Sequence, residues 1–123
     1  MQWVINIRMW MTPVKIMCDK HLLGEHVELH MIVGSINKNK KLDGYIKNNL
    51  ISPTNIIKRH NDIACEMIER KFNHKSNLPI FNLDEYVDSV KYAQINEESS
   101  LNELVTRCNR CREKYEVFNN GFV

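Results

Sequence analysis

The chain has 123 residues, of which 43% are hydrophobic and 26% charged, with a formal net charge of +2. That composition fits one ordinary globular domain with a modest core and excludes a largely disordered chain or two well-packed cores; no run approaches the roughly 20 apolar residues of a membrane span. With so small a basic excess, any nucleic-acid face has to come from local clustering of Lys and Arg.

Residues 3–11 alternate, with Trp3, Ile5, Ile7, Met9 and Met11 on one side and Val4, Asn6, Arg8 and Trp10 on the other. The period of two predicts an extended segment packed against something else. Met1 to Met11 has Arg8 at its middle and no small-residue cleavage site, so it does not read as a signal peptide. Thr12-Pro13 breaks the segment, and a long helix is predicted from Asp19 to about Ile36, before the polar turn Asn37 to Lys41. Residues 42–50 suit a short helix or turn. Ser52-Pro53 supplies an N-cap and a first-turn proline for a second long helix. Its apolar stripe is Ile56, His60, Ile63, Ala64, Met67 and Ile68, ending near Phe72. Residues 73–79 form a polar connector, and 83–92 have looser helical spacing. Ser100 to Glu103 reads as a capping box that starts a last helix ending near Tyr115. The expected fold is mostly α: one compact helical domain over residues 1–123 with an extended N-terminal segment.

Chemistry concentrates in His21 to His30, where ten residues hold two carboxylates and three of the five histidines. On a helix His21, Glu25 and Glu28 share one face, beside the apolar stripe of Leu22, Leu29, Val33 and Ile36. A carboxylate half shielded by apolar neighbours holds its proton more readily, which suits it to acid–base work; the plainer reading is a solvated helix surface. Arg107, Arg110 and Lys114 follow i, i+3, i+7 on the last helix, as a phosphate-contacting strip or as a solvated helix end favoured by the macrodipole.

Two patterns suggest metal. His26 and His30 stand at i, i+4, the spacing for two ligands to one zinc, but the glutamate between them has the wrong offset for the metalloprotease motif. Glu25, His60 and His74 are candidate third ligands that sequence does not place. Cys108 and Cys111 form one C-x-x-C, half of a zinc site, and neither Cys18 nor Cys65 completes a second such pair. The cysteines are expected as free structural thiols, and neither metal nor cofactor is expected.

The run Cys18-Asp19-Lys20-His21-Leu22-Leu23-Gly24-Glu25-His26-Val27-Glu28-Leu29 resembles the first helix of the pyrimidine-dimer DNA glycosylases of the phage endonuclease V type. Arg8 upstream, Ile51 to Thr54 and Glu69 to Asn73 resemble further landmarks in the same order, so the resemblance covers about residues 7 to 75. It implies base excision from damaged pyrimidines in duplex DNA, with or without AP-lyase activity. Glu28 falls on the catalytic glutamate, with His21 and Glu25 at the pocket. Arg8 and Lys20 fall on positions at the DNA, and Arg59, Arg107, Arg110 and Lys114 are added here as DNA-binding candidates. The implied setting is a monomer acting on duplex DNA in the cytoplasm of a prokaryotic or virus-infected cell, away from any membrane. The chain departs from the pattern at Val27 and Met31, where phage members carry arginines. It departs also at Ile7, which stands at the position of the catalytic N-terminal amine behind six extra residues. Those departures keep open a second expectation, an inactive nucleic-acid- or protein-binding module on the same fold.

Overall fold

The computed structural model describes residues 7–74 and 76–120. Six helices follow in order: α1 (Asp19–Asn37), α2 (Asp43–Lys47), α3 (Ile56–Glu69), α4 (Asp88–Lys91), α5 (Glu97–Arg107) and α6 (Asn109–Asn119). Short 3-10 turns at Val14–Ile16 and Pro53–Asn55 lead into α1 and α3. No strand occurs among the described residues, so the mostly-α expectation holds.

The two long helices pack on each other because their stripes face one core. Leu22, Leu29, Ile32, Val33 and Ile36 come from α1, and Ile56, Ile63 and Met67 from α3. Fully burying a side chain of this kind contributes about 1.5–3 kcal/mol. The N-terminal segment threads between helices. Ile7, Arg8, Met9 and Trp10 are all buried, and the Met9 N–H donates to the Leu50 carbonyl at 2.6 Å. Alternation of an inner and an outer face therefore does not describe residues 7–10, which are covered on both sides; residues 3–6 of that expectation lie outside the described residues.

Asp19 begins α1 as expected, but two other helix starts differ from the sequence reading. Ser52 makes no capping bond; its hydroxyl donates to the Ala93 carbonyl, and the Pro53–Asn55 turn precedes α3. The Ser100 capping box does not form. Asn96 caps α5 instead, its side chain accepting from the Ser99 N–H, while buried Ser100 donates its hydroxyl to the Trp10 carbonyl. The single last helix is also two, broken at extended Cys108. A tertiary partner for Ser100 wins over the local cap.

Three helices end alike, with a left-handed residue and a bond from the next N–H back across the last turn. Asn39, Asn49 and Lys71 have φ of 54°, 62° and 71°. The accompanying bonds are Lys40 to Ser35, Leu50 to Tyr45 and Phe72 to Met67, at 3.0, 2.9 and 2.8 Å. Asparagine suits that conformation; lysine does not.

One buried ion pair locks these parts together. Arg59 of α3 donates from Nε and Nη2 to the two oxygens of Glu25 of α1 at 2.7 and 2.9 Å. Its Nη1 donates to the Thr12 carbonyl at 2.6 Å, so the fork also holds the end of the N-terminal segment. Side-chain exposure is 5% for Arg59 and 0% for Glu25.

Arg59→Met strands a buried carboxylate and is expected to cost about 3–5 kcal/mol, whereas Arg59→Met with Glu25→Leu recovers much of that loss. Urea unfolding of the two variants checks both. In the other direction, Lys71→Gly relieves the left-handed lysine and should raise stability by on the order of 1 kcal/mol, read from the same titration.

Candidate active site

Glu28 lies on α1 one turn after Glu25, half-buried, and its Oε1 accepts the backbone N–H of Arg8 at 2.8 Å. The carboxylate therefore sits one peptide from Ile7. Burial pushes the Glu28 carboxyl above its usual range; the Arg8 N–H pulls it back, Glu25 raises it and the Arg8 charge lowers it. Val27 and Met31, which flank Glu28 in sequence, are exposed at 56% and 37%. These two departures from the family pattern thus place exposed apolar side chains on α1 near the carboxylate.

Arg8 is not at the surface. Its Nη1 donates to Glu103 at 3.0 Å and its Nη2 to Ser100 Oγ at 3.4 Å, both on α5, and its guanidinium stacks 3.5 Å above the Trp10 ring. Arg8 Nε is buried without a partner among the described residues. Desolvation lowers the Arg8 pKa, opposed by the charge and hydrogen bond of Glu103. Arg107 pairs with the same Glu103 and lies 5.7 Å from Trp10, so two cations and one carboxylate frame that indole.

The remaining sequence candidates divide by burial. Glu25 and Arg59, expected at the pocket and at the DNA, meet instead in the buried core pair, where each is engaged by the other. His21 is half-buried, its Nδ1 3.2 Å from Cys18 Sγ and its ring edge-on to Trp10 at 5.9 Å. Desolvation, then Lys20 and Arg107, lowers its pKa. Lys20, Arg107, Arg110 and Lys114 are exposed. The break at Cys108 puts Arg107 on α5 and the other two on α6, so the three do not share one helical face.

One feature escaped the sequence reading. A cavity of about 410 Å³ is lined by Ile7, Met31, Gly34, Ser35, Tyr45 and three lysines, Lys38, Lys40 and Lys41. The sequence signal was the lysine-rich stretch after α1, read only as a polar turn; nothing local says that Ile7 forms the cavity wall.

An all-helical domain with a shielded glutamate on its first long helix, beside the N-terminal segment and a lysine-lined cavity, suits an enzyme of base excision. The family profile described as pyrimidine dimer DNA glycosylase matches residues 7–79, more than half of the chain. The chain belongs to that family, one of DNA-repair glycosylases that act on DNA. No curated protein and no solved structure matches it. Among the described residues no helix is long and apolar enough to cross a membrane.

The raised Glu28 pKa makes a pH prediction. A carboxyl favoured neutral in the fold contributes stability fully below its unfolded pKa, and that contribution is lost as pH rises through the folded value. Glu28→Gln stays neutral and still offers an acceptor to the Arg8 N–H. It should therefore gain stability relative to the parent as pH rises past about 4, the ordinary carboxylate range, checked by thermal unfolding across pH.

Proposed function

We propose that this chain releases damaged pyrimidine bases from duplex DNA, with Glu28 as the carboxylate that works on the sugar. The observation that carries this reading is the 2.8 Å bond between the Arg8 N–H and Glu28, which sets the carboxylate beside residue 7. Breaking the N-glycosidic bond leaves positive charge on the sugar, and a fixed carboxylate stabilises that charge without reorganising. A raised pKa also lets it take a proton from an attacking group.

The nitrogen of residue 7 decides the course of the reaction. With residue 6 attached it is an amide and cannot attack. Glu28 then draws a proton from water, the water oxygen bonds to C1′, and the base leaves with the glycosidic electron pair, giving an abasic site and an intact strand. In a chain that begins at Ile7 the same nitrogen is a free amine. It attacks C1′ and expels the base, the sugar opens to an imine, and loss of a C2′ proton breaks the C3′–O bond. That second course is AP-lyase activity. Lys20, exposed on the first turn of α1, is the remaining amine candidate.

Exposed Val27 and Met31 offer apolar contact to a base turned out of the stack, as excision requires. Lys38, Lys40 and Lys41 supply phosphate contacts beside Ile7, and Arg107, Arg110 and Lys114 extend the basic surface. The protein works as a monomer without a cofactor in the reaction.

Glu28→Gln should lose base release by at least the roughly 100-fold typical of a removed general base while still binding duplex DNA; unchanged turnover on dimer-containing duplex removes the assignment. Lys40→Glu with Lys41→Glu should weaken binding across sequences and flatten the log Kd against log salt slope by about 0.9 per lost phosphate contact. The nucleophile is tested with borohydride. The full-length chain is expected to give abasic product without a trapped adduct, and the chain starting at Ile7 to trap. Trapping by the full chain that Lys20→Ala ends puts the nucleophile on α1, and binding without base release by both chains identifies a binding module.

A further inference from the structure

Three of the four cysteines and one histidine meet at a single point, outside the chemistry just described. Cys18 stands at the N-cap position of α1, without a side-chain capping bond, and His21 lies one turn on; Cys108 caps the start of α6 and Cys111 lies one turn on. The sequence thus carries two half-sites of the same spacing, C-x-x-H at residues 18–21 and C-x-x-C at 108–111, each at a helix N-terminus. Their four ligand atoms all lie within 4.8 Å of one another. Cys18 Sγ is 3.2 Å from His21 Nδ1 and 3.8 Å from Cys108 Sγ, and Cys111 Sγ is 3.8 Å from His21 Nδ1. A tetrahedron with zinc–sulfur bonds of about 2.3 Å and a zinc–nitrogen bond of about 2.0–2.1 Å has edges of roughly 3.5–3.8 Å. A disulfide needs sulfurs about 2.05 Å apart.

We propose that Cys18, His21, Cys108 and Cys111 bind one structural zinc ion. Three thiols release their protons to solvent and the neutral imidazole donates through Nδ1, which completes a closed four-ligand set with no open position for catalysis. The surroundings fit such a centre. The Cys18 N–H donates to Cys111 Sγ at 3.3 Å, and the Cys111 N–H to Cys108 Sγ at 3.5 Å, bonds that favour the charged sulfurs. Lys20 and Arg107 bring positive charge against a centre whose net charge is −1. The fold also needs a fastening here. Cys111 is the one fully buried residue of α6, and Cys108 and Cys111 both lie beyond residue 79, where the family match ends. The ion ties α6, whose Val117 and Phe118 stay exposed and whose one buried residue is Cys111, to the start of the helix that carries Glu28. His21 then acts as a ligand, not as a pocket residue, and the sequence expectation of no metal gives way to this reading.

The other four histidines form a second cluster, carried by separate observations. His26 and His30 of α1, His60 of α3 and His74 of the connector cluster, with ring centroids 4.8–5.4 Å apart in five of their six pairs. Ligand atoms of His26, His60 and His74 lie within 4.8 Å of one another, with His60 Nε2 and His74 Nε2 3.4 Å apart. His26 Nε2 and His30 Nε2 are buried without a partner among the described residues, which is costly unless something accepts those lone pairs. The geometry points to a second ion here, held by imidazole alone, of the zinc, copper or nickel class.

Elemental analysis and native mass spectrometry of the full-length protein test both sites. Two metal ions per chain are expected. After exchange into cobalt, the thiolate centre should show a sulfur-to-cobalt charge-transfer band in the near ultraviolet and the histidine centre none. Cys111→Ser should remove that band and one ion, and His74→Gln should remove one ion and leave the band. Titrating the parent protein's thiols with an organomercurial should release one zinc per chain, a readout independent of whether any variant folds. Thiol counting that finds a Cys18–Cys108 disulfide, or cobalt binding without the band, overturns the thiolate site. A single ion per chain with the band intact overturns the histidine site.

Discussion

The bidentate pair between Arg59 and Glu25 is the constraint on which the rest of the arrangement hangs. Two charges taken out of water have to be matched closely in geometry, and here they are, with every oxygen of the carboxylate and every nitrogen of the fork engaged. The pair fixes the roll of α1 against α3. Through the Thr12 carbonyl it also fixes where the N-terminal segment ends. Residue 8 is thereby brought within reach of α1, and the Arg8 N–H meets Glu28. The position of Glu28, the carboxylate proposed to act on the sugar, thus depends on a buried salt bridge between two other residues.

Glu25 and Glu28 illustrate how burial and partners divide the work of two carboxylates on one helix. Glu25 is wholly enclosed and satisfied by a guanidinium, so it is structural. Glu28 is half enclosed, and burial favours its neutral form although the Arg8 N–H pulls the other way; its second oxygen has no partner in that bond. Arg8 serves both sides. Its side chain is spent on Glu103, Ser100 and the Trp10 face, which leaves its backbone to position Glu28.

The C-terminal third stands in a different relation to the core. The family match covers α1 to α3 and the connector, and α5 and α6 lie past it. α5 is tied to the N-terminal segment by Ser100 and Glu103, whereas α6 contributes only Cys111 to the fully buried set. A metal centre formed from C-x-x-H and C-x-x-C supplies the fastening that apolar area does not. The proposed centre joins α6 to the start of the helix that carries Glu28.

The sequence by itself determined the long helices, because apolar periodicity over 14 to 19 residues is a summed signal that tertiary contacts rarely reverse. It determined the family, because the ordered landmarks around Glu28 are local. It also contained both halves of the cysteine–histidine cluster, but spaced 90 residues apart, and a spacing motif shows two ligands only when they are neighbours in sequence. Tertiary structure alone decided that Arg59 faces Glu25 rather than a phosphate, that Ser100 bonds Trp10 instead of capping a helix, and that Ile7 walls a lysine-lined cavity. Each of these rests on a partner more than 30 residues away. The energy that selects such a partner comes from desolvation, which no local window of sequence records.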